Sequence, residues 1–229
     1  MKAIAIIGYS DNLVGQIINF LPSRIKKKIK FLVYNKKLKN SYFIKDQISQ
    51  KKEMPILNKM YGINIFIKKQ IVQFLISQKI KEVFLLLEDK DDRKKIFNEL
   101  KKKKIKILSY IHPRVIMAGK NKVGEGVIIF PNNYIGYKSD IGNSTIIQSS
   151  CSIDHHNIIG NFCDINPNLT TGGFVEIEDN CLINMSVDII NRIKIKKYSR
   201  IGAGSLVLKN TISNYLYYGR PAKKIKLLY

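Results

Sequence analysis

The chain has 229 residues, 45% of them hydrophobic, enough apolar material for one large domain or two small ones and too much for disorder along its whole length. Its formal net charge is +23, yet Ser139 to Asn191 holds no lysine or arginine and carries Asp140, Asp154, Asp164, Glu176, Glu178, Asp179 and Asp188, which excludes a nucleic-acid groove there. The opening apolar run, Ala3 to Ile7, is too short to span a membrane and has no cleavage-site pattern, so a cytoplasmic protein is expected.

The first part of the chain alternates strand and helix signals. Ala3 to Ile7 reads as a strand, Gly8 to Asn12 as a turn, and Leu13 to Leu21 as a helix stopped by Pro22. A second strand is expected at Phe31 to Tyr34, a helix at Lys68 to Gln78, a buried strand at Glu82 to Leu87, a charged helix at Asp91 to Lys103 and a last strand at Ile105 to Leu108. This order predicts a small parallel α/β sheet over residues 1–112, ending at Ile111-His112-Pro113. Most of the basic residues lie here, in runs such as Lys26-Lys27-Lys28 interleaved with Ile and Asn. Such runs read as a compositional habit and not as a binding groove.

From residue 113 to 229 the period changes. An Ile or Val recurs at every sixth position from Val123 through Ile153 and Ile165 to Val207, interrupted only at Thr171. Six fits neither a 3.6-residue helix nor a flat hairpin sheet, but it fits a triangular coil of three short strands with one inward side chain per side. Coils stacked at ~4.8 Å would form a prism of about five turns. Four residues after each inward position the chain often carries a small residue: Ser139, Thr145, Cys151, Cys163, Cys181, Ser199, Ser205 or Thr211. The three cysteines form no CxxC pair and are odd in number, so they are expected to pack and not to form a disulfide framework. Glycines directly after the inward residue, such as Gly136, Gly142 and Gly160, are expected to meet a turn's conformational demand.

Taken together, the Ile111-His112-Pro113 junction, the hexads, Ile153-Asp154-His155-His156-Asn157-Ile158-Ile159-Gly160 and Gly219-Arg220-Pro221-Ala222-Lys223 resemble one family. It is the sialic acid O-acetyltransferase and nucleotide-aminosugar N-acetyltransferase family. The resemblance covers nearly the whole chain. It implies a Rossmann-like N-terminal domain, a left-handed parallel β-helix, acetyl-CoA as co-substrate, a homotrimer, and a sugar or nucleotide-sugar substrate for surface-glycan synthesis.

Transfer from a thioester needs a base for the attacking amine or hydroxyl and donors for the developing oxyanion. The resemblance assigns the base to His155, two positions after the inward Ile153, whereas His112 before Pro113 is expected to pack or hydrogen-bond. An imidazole base works best when a partner fixes its tautomer, and relatives usually place acids on both sides of it. Here Asp154 precedes and His156 follows, so Asp154, a main-chain carbonyl or a distant acid could orient the ring. His156 could bind substrate or simply face solvent. Asp164 stands where many relatives carry a histidine near the acetyl group, and an ionised carboxylate cannot donate a hydrogen bond to a carbonyl. The oxyanion is therefore expected to rely on the main chain at Gly173, in the Thr171-Gly172-Gly173 break. Gly202 and Ala203 resemble the segment lining the pantetheine arm of CoA, with Lys209, Arg220 and Lys223 near its phosphates. Gly8, Tyr9 and Ser10, with Asn35, stand where relatives bind the nucleotide sugar, although Asp11 and Leu13 replace the usual later glycines.

The nearest alternative reading is O-acetylation of a sugar such as a sialic acid. A catalytically inert β-helix scaffold is another. A zinc-dependent carbonic anhydrase on the same prism needs suitably spaced ligands, and adjacent His155 and His156 point in different directions along a strand, so no metal is expected.

Overall fold

The structure, a computed structural model, describes residues 3–8, 13–34 and 59–228. The chain divides into Met1–Leu108 and Ser109–Tyr229. The division falls slightly before the junction expected at 112, because Tyr110 and Ile111 already pair with Ile128 and Ile129 of the second unit.

The first unit is a parallel sheet flanked by short helices. Its elements are β1 (Ile4–Ile7), α1 (Leu13–Phe20), α2 (Ser23–Lys26), β2 (Ile29–Tyr34), β3 (Lys59–Met60), β4 (Ile63–Ile67), α3 (Ile71–Ser77), β5 (Glu82–Leu85), α4 (Lys90–Lys102) and β6 (Lys106–Ile107). The strand order is β3-β4-β2-β1-β5-β6, and all pairings are parallel except β3 with β4. β1 and the Phe31–Val33 stretch of β2 are fully apolar and buried, as central parallel strands must be. The sequence reading passed over β4, whose Ile-Asn-Ile-Phe-Ile alternation marks a strand covered on one side only.

Two details of this unit account for particular residues. Gly8 ends β1 at φ 145°, and a Cβ there would run into the Leu86 carbonyl, so glycine is required by both conformation and space. Asp89 is the N-cap of α4: its Oδ1 accepts the N–H groups of Asp91 and Asp92, both at 3.0 Å. One turn on, Arg93 is completely buried and its Nη1 donates to the Leu87 carbonyl at 2.8 Å, fixing the loop between β5 and α4.

The second unit is the three-sided parallel β-helix expected from the hexads. Its first face stacks the strands Tyr110–Ile111, Ile128–Ile129, Ile146–Ile147, Asp164–Ile165, Leu182–Ile183 and Arg200–Ile201. The second face stacks Ile116–Met117, Tyr134–Ile135, Ser152–Ile153, Thr170–Thr171, Asp188–Ile189 and Leu206–Val207. The third stacks Asp140–Ile141, Ile158–Ile159, Glu176–Ile177 and Lys194–Ile195. Strands pair in parallel with their counterparts one coil on, as Ile147 with Ile165 and Ile153 with Thr171. The Ile and Val column from Ile129 to Val207 is buried along the axis. Tyr215–Tyr218 adds to the first face and Lys223–Leu227 returns antiparallel beside it.

The corners correct one expectation and support another. The left-handed turn residue is the third after the inward one, at Lys138, Ser144, Ser150, His156, Phe162, Asn168, Phe174 and onward, all with positive φ. The glycines directly after the inward residue do not take that conformation. Gly136 and Gly142 are glycine because a Cβ would strike the main chain of the next coil at Asp154 and Gly160. The small residues four after the inward one are buried and bridge coils. Ser139 Oγ donates to the Asp154 carbonyl at 2.6 Å and Thr145 Oγ1 to that of Gly160 at 2.8 Å, while the Cys163 and Cys181 thiols reach the Glu178 and Lys196 carbonyls, both at 3.2 Å. The cysteines thus pack in the place of Ser or Thr, all three free. Burial raises the Cys151 thiol to about 11 and lifts Cys163 as well, which keeps both protonated. Among the described residues no helix is long and apolar enough to cross a membrane.

Candidate active site

His155 sits where the chain turns from the second face to the third, between Ser152–Ile153 and Ile158–Ile159. Its main chain is held from both sides: its N–H donates to Asp154 Oδ1 at 2.7 Å, and its carbonyl accepts the Phe174 N–H at 3.0 Å. Its imidazole lies against Gly173 of the next coil. A Cβ on Gly173 would stand 2.5 Å from Cε1 and 2.7 Å from Nε2, so any side chain there would displace the ring. Gly173 is buried, and its N–H has no acceptor among the described residues. Other residues at this repeat position also leave an N–H over, but Tyr137, Met185, Asn191, Ala203 and Lys209 are exposed and Ser149 and Asp179 are half-buried, so water can serve them. A buried amide donor beside an imidazole is the pairing that acyl transfer requires.

The break in the inward column has a physical reason. Thr171 is buried where an Ile is otherwise found, and its Oγ1 accepts from the Asp154 N–H at 3.1 Å and from Asn157 Nδ2 at 2.6 Å. Asn157 Nδ2 also donates to the Asp154 carbonyl at 3.0 Å, and its Oδ1 accepts the Val175 N–H at 2.5 Å. The residues before and after the two histidines are therefore tied into the core through buried hydrogen bonds.

Around the histidines the corner is aromatic. His156 stacks on Phe174, with centroids 4.8 Å apart and planes at 15°, and meets Tyr137 edge-on at 5.9 Å. Phe174 also meets the His155 ring edge-on at 5.2 Å, and the Arg192 guanidinium lies 4.9 Å from the Phe174 centroid. The Lys120 and Lys138 ammonium groups lie 5.8 and 5.3 Å from the Tyr137 centroid. Sequence reading missed Thr171, Asn157, Phe174 and Tyr137 as parts of this site. Thr171 was visible as the one interruption in the Ile/Val column. Read once per full coil and not once per side, the sequence also places Lys138, His156, Phe174 and Arg192 in a single column.

The other sequence-predicted residues are not all gathered here. Asp154 adjoins His155, but its carboxylate serves the His155 main-chain N–H. Asp164 belongs to the first face, across the prism from the His155 corner. Gly202 and Ala203 lie at the corner between first and second faces, where the Tyr218 ring fills the space a Gly202 side chain would need. Lys209 is exposed on the corner column that contains His155 and Gly173, further along the stack. Arg220 pairs with Asp188 at 2.7 Å, and Lys223 is exposed at the start of the last strand. Gly8 is buried in the first unit; Tyr9, Ser10 and Asn35 lie outside the described residues. His112 is structural as expected: its Nδ1 accepts the Arg114 N–H at 3.1 Å, and burial together with the Arg114 charge lowers its pKa. No cluster of three or more His, Cys, Asp or Glu suited to a metal occurs among the described residues.

No known protein-family model matches the chain. Among solved structures it is similar to the perosamine N-acetyltransferase PerB of Caulobacter crescentus, in a complex with CoA and GDP-perosamine, with a TM-score of 0.82 and 20% identity over 99% of this chain and 98% of that one. It is also similar to the acetyltransferase domain of PglB from Neisseria gonorrhoeae, with a TM-score of 0.77 and 15% identity over 98% of this chain and 100% of that one. WeeI from Acinetobacter baumannii covers it to a similar extent at 16% identity, with a TM-score of 0.51. At these identities the shared property is the fold, and it extends over the whole length of each chain.

Proposed function

We propose that this chain is an acetyl-CoA-dependent N-acetyltransferase acting on a nucleotide-linked amino sugar, with His155 as general base. The observation that carries the reading is the His155 imidazole lying against a buried Gly173 whose N–H is unused. The whole-chain fold likeness to an N-acetyltransferase solved with CoA and GDP-perosamine supports it, as do solved forms of that enzyme in which a single histidine is replaced by alanine or asparagine. In the same reading the first unit is a Rossmann-like nucleotide-sugar domain, the β-helix is left-handed, and the protein works as a cytoplasmic homotrimer.

The reaction follows from the groups at the corner. His155 Nε2 takes a proton from the sugar amine as its nitrogen bonds to the thioester carbonyl carbon. The Gly173 N–H donates to the carbonyl oxygen as it gains negative charge, and the absence of a side chain at 173 leaves room for the acetyl group. Collapse breaks the carbon–sulfur bond, and the proton held on His155 Nε2 passes to the departing thiolate, which leaves as the thiol and returns the ring to its neutral form. Exposed Lys209 and Lys223, with Arg220, offer cations for the CoA phosphates, and exposed Ala203 offers a low wall for its arm. In the first unit the N-terminus of α4 is already capped by Asp89 and carries Asp91 and Asp92 in its first turn, which disfavours an anion there; the nucleotide sugar is assigned in this reading to Gly8 with Tyr9, Ser10 and Asn35.

The test is thiol release from acetyl-CoA on incubation of the purified chain with nucleotide-linked amino sugars, free amino sugars and sialic acids. Turnover is expected with the nucleotide-linked amines, and His155→Ala should reduce it by roughly 10²- to 10⁴-fold. An unimpaired His155→Ala protein would remove the base assignment, and failure to bind acetyl-CoA by calorimetry would favour an inert scaffold.

A further inference from the structure

We infer that His156 is the positioning residue of the site: its Nδ1 accepts the Nδ1–H of His155 and so keeps the Nε2 lone pair of His155 free. The inference rests on the proposed role of His155 as base and supplies what that role lacks, a partner for the ring.

The Asp154 carboxylate is engaged with the His155 N–H at 2.7 Å, and the Asp154 carbonyl is taken by Ser139 Oγ at 2.6 Å and Asn157 Nδ2 at 3.0 Å. The one hydrogen-bonding partner of the His155 ring among the described residues is His156, with the two Nδ1 atoms 3.0 Å apart. Two lone pairs cannot face each other at that distance, so one proton lies between the rings. If His156 donates it, His155 carries its own proton on Nε2 and cannot act as a base there. If His155 donates it, Nε2 is free beside Gly173.

His156 is built to hold its place. It occupies the left-handed corner position at φ 56°, its N–H donates to the Tyr137 carbonyl at 2.8 Å, and its ring is stacked on Phe174. Its plane stands at 86° to that of His155, which lets an in-plane nitrogen of one ring meet the other without steric overlap. A rigid acceptor of this kind orients a base as a carboxylate does, without adding a second negative charge next to Asp154. The Asp154 carboxylate is thereby left to hold the main chain.

The test uses the full chain with ¹⁵N-labelled histidine and does not depend on knowing the sugar. Nitrogen shifts, recorded where both rings are neutral, should show His155 protonated on Nδ1 and His156 on Nε2. His156→Phe keeps the stack on Phe174 and deletes the acceptor. It should let His155 revert toward the Nε2–H tautomer and lower kcat on the order of 10²-fold with KM little changed. His156→Asn, which can place an amide oxygen near the lost Nδ1, should recover most of both readouts. An Nε2-protonated His155 in the unmodified chain, or a His156→Phe protein whose tautomer and kcat are unchanged, overturns the inference. If the tautomer is as stated but no sugar is acetylated, the pairing stands and the proposed function fails. Acetylation with the opposite tautomer does the reverse.

Discussion

Two corners of the same prism share one backbone conformation and have been put to opposite uses. At the corner between third and first faces, amide and carboxylate side chains run as a ladder. Asn143 donates its main-chain N–H to Asn161 Oδ1 at 2.8 Å, and Asn161 donates its own to Asp179 Oδ1 at 2.7 Å. Their side-chain amides repeat the pattern at 3.1 and 3.0 Å. At the corner between second and third faces the equivalent places hold Tyr137, His155 and Gly173, with rings stacked alongside and the buried Gly173 N–H left over. The fold requires only a left-handed residue and a tight approach at each corner. Where side chains satisfy the corner N–H groups the corner is mortar, and the buried one left open beside a titratable ring is what the proposed transfer would use.

The largest effect that should separate the corners comes from adding side chains at Gly173. In Gly173→Val the Cβ, due 2.5 Å from His155 Cε1, must push the ring aside and crowd the space proposed for the acetyl group. Acetyl transfer is expected to fall at least as far as in His155→Ala, roughly 10²- to 10⁴-fold, while circular dichroism keeps its β-helix signal. Activity within a few-fold of the parent would mean that the corner is not where transfer occurs.

Asn161→Ala tests the opposite corner. It leaves the Asn143 N–H and Nδ2 without their acceptor in a half-buried position, a loss of about 1–3 kcal/mol in urea unfolding. With His155 on another edge of the prism, kcat for the folded protein should be unaltered. A fall in kcat without a fall in stability would contradict the division of labour between the corners.

How much of this was legible beforehand depends on the period at which the sequence is read. The inward column was visible because each side of the prism contributes one Ile or Val every sixth residue, and burial leaves no freedom about where it points. His155 and Gly173 emerged from the motif and from the break in that column. The Phe174 stack on His156 was not visible, because those residues are neighbours only across a full coil and their contact depends on side-chain torsions that periodicity does not encode. The glycines after the inward residue were recognised for the wrong cause: Gly136 and Gly142 answer to the approach of the next coil, and the turn's dihedral falls on Lys138 and Ser144 instead. Gly202 was similarly ambiguous, since a small residue can line a groove or admit a ring, and Tyr218 fills that space.

The smallest effect lies at the upper end of the polar corner, where Glu178 Oε1 meets Lys196 Nζ at 2.6 Å and Oε2 accepts the Lys197 N–H at 2.9 Å. The hydrogen bond from Lys196, with support from the Lys197 N–H and the Lys194 charge, lowers the Glu178 pKa. A carboxylate with a depressed folded-state pKa contributes stability that is present above its unfolded value and lost as pH falls through the folded one. Glu178→Gln should therefore lower the Tm slightly at pH 7, by the equivalent of roughly 0.2–1 kcal/mol for a partly exposed pair. The difference from the parent should shrink as the pH drops through and below the ordinary carboxylate range, where the parent has lost its charge as well. Because the charge is screened, raising the salt at pH 7 should shrink it too. A deficit that persists unchanged at low pH and high salt would assign the effect to the amide's packing and not to the charge, and would show that this ladder owes its strength to hydrogen-bond geometry alone.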